Sequence, residues 1–276
     1  IWRDTKRSAP ERWPKTIKGE TKIAIDLFAE TPPLEAKRIL MSRAATRRVD
    51  GRMRSLMFID AKKAHLNPKC EKEVYVQLPP EYNVPPGYCS KLNYWLYGMR
   101  PAAAAWENHY SKVLEERGFK RGEACGVAFY HAELDIACAV HGDDFTFCGL
   151  REDLLTVQGW LREAFEIEVR GMLGESDCEQ KEAVILGRKV RWGEKGIEYE
   201  ADLKHRQKLL EYFGFDDESR TINNNGDKYE KEDDEWSSEK LDAKGAKEYR
   251  GLAARLNYLS LDCPDLQFPI KQCSRE

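Results

Sequence analysis

Two strand-like runs, Asp135 to His141 and Phe145 to Cys148, are separated only by Gly142-Asp143-Asp144, and a connection that short permits one arrangement, an antiparallel hairpin. Parallel neighbours would need a crossover of about a dozen residues or more. Any fold for this chain must therefore contain this hairpin, with two adjacent carboxylates at its tip.

The surrounding pattern supplies elements to pack against it. Leu34 to Arg47 follows Pro32-Pro33 and places Leu34, Ala36, Ile39, Leu40 and Ala44 on one face, as an amphipathic helix entered just after proline does. Ser55 to Asp60 is an apolar run ending in an acid, read as a buried strand that delivers a carboxylate at its C-terminal end. Glu73 to Leu78 alternates like a half-buried strand, and the prolines at 79, 80, 85 and 86 punctuate the loop after it. Helices are expected over Pro101 to Arg117, Leu150 to Phe165, Asp202 to Tyr212, Lys247 to Leu261 and Asp265 to Cys273. Strands are expected near Ile23 to Phe28, and over Val127 to His131, Phe165 to Arg170, Ala183 to Trp192 and Ile197 to Tyr199. The order predicts an α+β fold with helices on one face of an antiparallel sheet.

Adjacent acids in a tight turn raise one another's proton affinity unless a cation sits between them. Gly142-Asp143-Asp144 is also simply a favourable turn sequence. The second acid, Asp60, shifts the balance, because it ends another apolar run that one sheet could bring beside the hairpin. Three carboxylates on neighbouring strands can hold two hard cations roughly 3.5–4 Å apart, the arrangement that nucleotidyl transfer uses.

With these acids goes a wider pattern. Phe58 to Asn67 reads FIDAKKAHLN, Leu96-Tyr97-Gly98 precedes Ala102 and Trp106, and His141-Gly142-Asp143-Asp144 follows. Further on come Gly118-Phe119-Lys120, Ile185-Leu186-Gly187, Leu209 to Gly214, and Tyr249-Arg250 with Leu256-Asn257-Tyr258-Leu259 and Pro264-Asp265. In order and spacing, from about residue 28 to 274, the set resembles the reverse transcriptases of copia-type retrotransposons. The resemblance implies an RNA-directed DNA polymerase that uses two Mg²⁺, with Mn²⁺ as the alternative ion, on an RNA or DNA template with a primer and deoxynucleotides. It implies metal-bridging roles for Asp60 and Asp143, support from Asp144, and a nucleotide site formed by Ala61, Lys62, Lys63, His65 and Arg100. His65 falls where the family has a ring that blocks a ribose 2′-hydroxyl. Pro101 and the run Ala102 to Ala105 depart from the family, which has polar contacts there, commonly a glutamine and an arginine. The upstream basic strand of the family is not recognisable either; Lys15, Lys18 and Lys22 lie nearby without matching it. A remnant that keeps the fold and nucleic-acid binding but has lost catalysis is the alternative.

By the same resemblance, residues 1–32 would be partial fingers. Residues 33–200 would be a palm with a fingers insertion at about 67–100. Residues 201–276 would be a helical thumb-like part, with an acidic disordered linker at about 216–245. Charge follows that division: residues 1–63 carry 16 Lys+Arg against 8 Asp+Glu, and residues 216–248 carry 6 against 12. The basic end suits a polyanion, and it equally suits a merely solvated surface. Eight cysteines with no C-x-x-C pair suit reduced thiols rather than a disulfide framework or a zinc site. No run of about 18 apolar residues is present, so a soluble intracellular protein, nuclear or cytoplasmic, is expected. Integrase and RNase H would belong to other parts of a polyprotein that begins before Ile1.

Overall fold

A computed structural model describes residues 2–4, 28–83, 85, 88–201, 203–216, 218–220 and 241–274. The strand expected at Ile23 to Phe28 lies outside these residues except for Phe28, as do Lys15, Lys18, Lys22 and most of the acidic segment. The chain divides into two compact units, residues 1–180 and 181–276.

In the first unit the elements are β1 (Trp2–Asp4), α1 (Leu34–Ala45), β2 (Ser55–Ala61), β3 (Tyr75–Val76), β4 (Ser90–Leu92), α2 (Ala102–Glu116), β5 (Lys120–Arg121), β6 (Ala128–His131), β7 (Ile136–His141), β8 (Asp144–Gly149), α3 (Arg151–Ala164) and β9 (Ile167–Leu173). Six strands form one antiparallel sheet in the order β5-β6-β7-β8-β2-β9, and β1-β4-β3 form a small second sheet. The β7–β8 hairpin closes through Gly142-Asp143, with His141 opposite Asp144. Gly142 has φ +66° while Asp143 stays out of the left-handed region, the pattern of a type II′ turn with glycine first.

Register explains the core. Met57 faces Phe147 and Ile59 faces Phe145 across β2–β8, while Phe147 faces Cys138 and Phe145 faces Val140 across β8–β7. These side chains share one face and pack with Trp106, Tyr110 and Leu114 of α2 and Leu154, Val157 and Leu161 of α3. Burial of this kind contributes about 1.5–3 kcal/mol per large apolar side chain. The opposite face carries Leu56, Phe58, Thr146 and Cys148, also buried, and α1 lies across β2, β7 and β8 there, burying Leu40, Met41 and Ala44. This corrects the expectation of helices on one face: all seven residues of β2 are buried, so both sides of the central strands need cover.

Other expectations change in detail. Only Tyr75 and Val76 of the Glu73 to Leu78 segment form a strand. In the second unit the single strand expected over Ala183 to Trp192 is a hairpin, β10 (Glu182–Ile185) and β11 (Arg188–Gly193), joined by Leu186-Gly187. Both turn residues have positive φ, +48° and +78°, and a leucine in that role gives no turn signal in sequence. β12 (Gly196–Glu200) completes a three-stranded sheet. α4 (Leu203–Phe213), α5 (Ala243–Ser260) and α6 (Gln267–Cys273) follow. α5 begins earlier than its apolar pattern suggests, because the Asp242 side chain caps it by accepting from the Gly245 N–H at 2.6 Å. The eight cysteines are all free thiols. No described helix is long and apolar enough to cross a membrane.

Candidate metal centre

Asp60 is the penultimate residue of β2 and Asp144 begins β8, and the two are directly paired across the ladder, so their side chains leave the same face. Asp143 is the second residue of the turn and reaches the same space. One carboxylate oxygen from each of Asp60, Asp143 and Asp144 lies within 4.8 Å of the others. Asp60 is buried, Asp144 half-buried and Asp143 exposed. That spacing and an all-oxygen donor set fit a hard divalent cation such as Mg²⁺ or Mn²⁺.

Two contacts fix the tip of the hairpin relative to the strand. The Ala61 N–H donates to the Asp143 carbonyl at 2.9 Å, tying the end of β2 to the turn. From α2, Trp106 Nε1 donates to the Gly142 carbonyl at 2.9 Å while its ring packs edge-on against Phe145 and Phe165. The helix of the aromatic core therefore positions the acids.

Cations crowd the acids. Arg170 of β9 donates from Nη2 to Asp60 Oδ1 at 2.6 Å, and its Nη1 lies 3.2 Å from Asp144 Oδ1. Lys62 Nζ lies 3.2 Å from Asp60 Oδ2 and also pairs with Glu168, the residue opposite Asp60 on β9. Burial raises the Asp144 pKa above the ordinary carboxyl range, the Arg170 charge works against that, and Asp143 and Asp60 add to it. His141, opposite Asp144, is held below the usual imidazole value by burial and by the Lys37 charge, against the pull of the two acids.

The other residues singled out in the sequence are placed unevenly. The Ala61 and Lys62 N–H groups are consumed, by the carbonyls of Asp143 and Glu166, so the backbone immediately after Asp60 is not open to a ligand as expected. Lys63 turns the chain, with φ +52°, into a 3-10 turn over Ala64–Leu66. No acceptor lies within reach of the Lys63, Ala64 and His65 N–H groups among the described residues. His65 lies against Tyr97, ring centroids 4.5 Å apart, and burial lowers its pKa while the Asp143 charge opposes this. Arg100 is exposed just before α2 and forms no ion pair with the acids among the described residues.

Arg170 and the Trp106 bond to the turn were missed in the sequence. The glycine after Arg170, inside an alternating run, was the available signal: β9 bulges there, with Ile59 opposite Val169 but Phe58 opposite Gly171, so Arg170 has no partner on β2.

A family model described as reverse transcriptase (RNA-dependent DNA polymerase) matches residues 18–174, more than half of the chain. No curated protein matches the sequence.

Proposed function

The chain belongs to the reverse transcriptase (RNA-dependent DNA polymerase) family, and from that membership we propose that it is an RNA-directed DNA polymerase of the copia type, working by two-metal nucleotidyl transfer at Asp60, Asp143 and Asp144. The observation that carries this reading is the convergence of three carboxylates within 4.8 Å on paired strand ends. Two Mg²⁺, or Mn²⁺ in their place, would supply activation of a primer 3′-hydroxyl and support for the leaving pyrophosphate. Asp60 and Asp143 would hold both ions, and Asp144 would steady them. The Lys63, Ala64 and His65 N–H groups have no acceptor among the described residues and could donate to the oxygens of a triphosphate, whose charge suits oriented backbone donors. His65, braced by Tyr97, would form the wall against a ribose 2′-hydroxyl. The partners would be an RNA or DNA template, its primer and deoxynucleotides, with residues 1–32 and about 67–100 as fingers, 33–200 as palm and 201–276 as a thumb-like part.

Extension of a DNA primer on an RNA template by the purified chain, with and without Mg²⁺, tests this. Metal-dependent extension supports it, and its absence favours the second reading, a remnant that retains the fold and binds nucleic acid. The alanine run favours that reading: Ala102 and Ala104 are buried in the foot of α2 and offer a nucleotide no polar contact. His65→Ala should lower the preference for deoxynucleotides over ribonucleotides; an unchanged ratio removes the gate from His65.

A further inference from the structure

Asp60 is almost wholly buried, and each of its carboxylate oxygens faces a cationic side chain. Oδ1 accepts from Arg170 at 2.6 Å and Oδ2 lies 3.2 Å from Lys62 Nζ. The same Arg170 guanidinium extends its other terminal nitrogen to Asp144, 3.2 Å away. One planar cation therefore spans two carboxylates from two strands, which is the charge arrangement a bridging divalent ion would make.

The strand is built to deliver this side chain. Arg170 is the extra residue of the β9 bulge, opposed by nothing on β2, and bulges beside sites re-aim the residue they release from the ladder. Beside it, a Cβ at Gly171 would lie 2.1 Å from Gln180 Oε1, so a larger residue there would have to push that side chain aside. Arg170 itself has a side chain 52% exposed against 9% for Asp60, so the guanidinium has a path toward solvent that the acid lacks.

Resting on the polymerase reading of this site, we propose that Arg170 is a resident counter-cation of the acid group: it neutralises Asp60 and Asp144 in the metal-free protein, and divalent ions enter only by displacing it. Three converging carboxylates without a cation would repel one another and cost folding free energy. With Arg170 in place they are compensated, and the same contacts set a threshold for metal entry, because a divalent ion arriving at Asp60 Oδ1 would be repelled by the guanidinium charge already seated there. Charge-assisted hydrogen bonds of this kind are about twice as strong as neutral ones. Lys62 is a weaker competitor, since it divides its charge between Asp60 and Glu168.

The test uses the full chain, without nucleotide or nucleic acid, and Mn²⁺ as the probe, with bound and free ion separated by electron paramagnetic resonance. Arg170→Gln should bind Mn²⁺ roughly tenfold more tightly than the wild type, and Arg170→Lys, which keeps the charge without the fork, should fall between them. Thermal melting gives an independent readout. Arg170→Gln should melt below the wild type without metal, and saturating Mn²⁺ should close the gap, whereas a residue that merely packs the bulge would leave it open. Equal Mn²⁺ affinity in wild type and Arg170→Gln, with binding abolished in Asp143→Asn, overturns the role of Arg170 and leaves the metal site standing. No Mn²⁺ binding sensitive to Asp60→Asn or Asp143→Asn in either protein overturns both.

Discussion

Trp106→Phe should loosen the acidic β7–β8 hairpin from the helix that holds it. The indole is 2% exposed and makes two contributions that phenylalanine cannot reproduce. Its Nε1–H bond to the Gly142 carbonyl is worth about 1 kcal/mol net, because that carbonyl keeps some access to water. The smaller ring also leaves a void among Tyr110, Phe145 and Phe165, for a further cost of roughly 1–2 kcal/mol in a core that relaxes only partly. The sum is about 2–3 kcal/mol, measured by urea denaturation against Trp160→Phe, a partly buried tryptophan with no such bond to the turn, as the control. Because Gly142 precedes Asp143, Mn²⁺ affinity should fall with stability. A loss below about 0.5 kcal/mol, or a control that loses as much, would refute the claim that the indole anchors the turn.

Other substitutions probe the frame around the site. Gly174→Ala would place a Cβ 2.0 Å from Glu179 Oε2, and that buried carboxylate is already held by the Ser55 hydroxyl and, at 3.1 Å, by the Ser176 N–H. Displacing it should cost about 2–4 kcal/mol in thermal or urea unfolding. Asp135 is ringed by Arg43, Arg48, Arg54 and Tyr130; burial works to raise its pKa, but the hydrogen bonds from Arg54 and Tyr130 and the neighbouring positive charges lower it overall. A depressed carboxyl stabilises the fold above its unfolded value of 3.8 and loses that contribution as pH falls through the lower folded value. Asp135→Asn should therefore cost about 2 kcal/mol at pH 7, with the difference from wild type shrinking in acid melts below that unfolded value. Asp144 has the opposite sign, since its pKa is raised: its charge is a liability at neutral pH, and Asp144→Asn should narrow its own stability advantage as pH falls through the raised value.

The site was more legible in sequence than the sheet that carries it. Asp60 and Asp143-Asp144 stand at the ends of apolar runs, and β-pairing makes run ends adjacent once the hairpin fixes the register, so local pattern was enough to bring them together. The run over Ala183 to Trp192 hid a turn because Leu186 takes a left-handed conformation that leucine rarely signals. Arg170 was hidden for a different reason. Its place over the acids comes from a one-residue slip between two strands distant in sequence, and only the glycine beside it hints at that slip. Helix α1 reads as amphipathic in sequence, but which sheet face it covers follows from tertiary packing that no periodicity encodes.

The central claim is that Asp60, Asp143 and Asp144 together catalyse nucleotide addition, and it is tested most directly by the rate of single-deoxynucleotide incorporation on an RNA template in wild type and Asp143→Ala, assayed side by side in Mg²⁺. Incorporation by the wild type is expected, with a loss on the order of a thousandfold or more in the variant, as removal of a metal-bridging carboxylate entails. Incorporation undiminished by Asp143→Ala would contradict it.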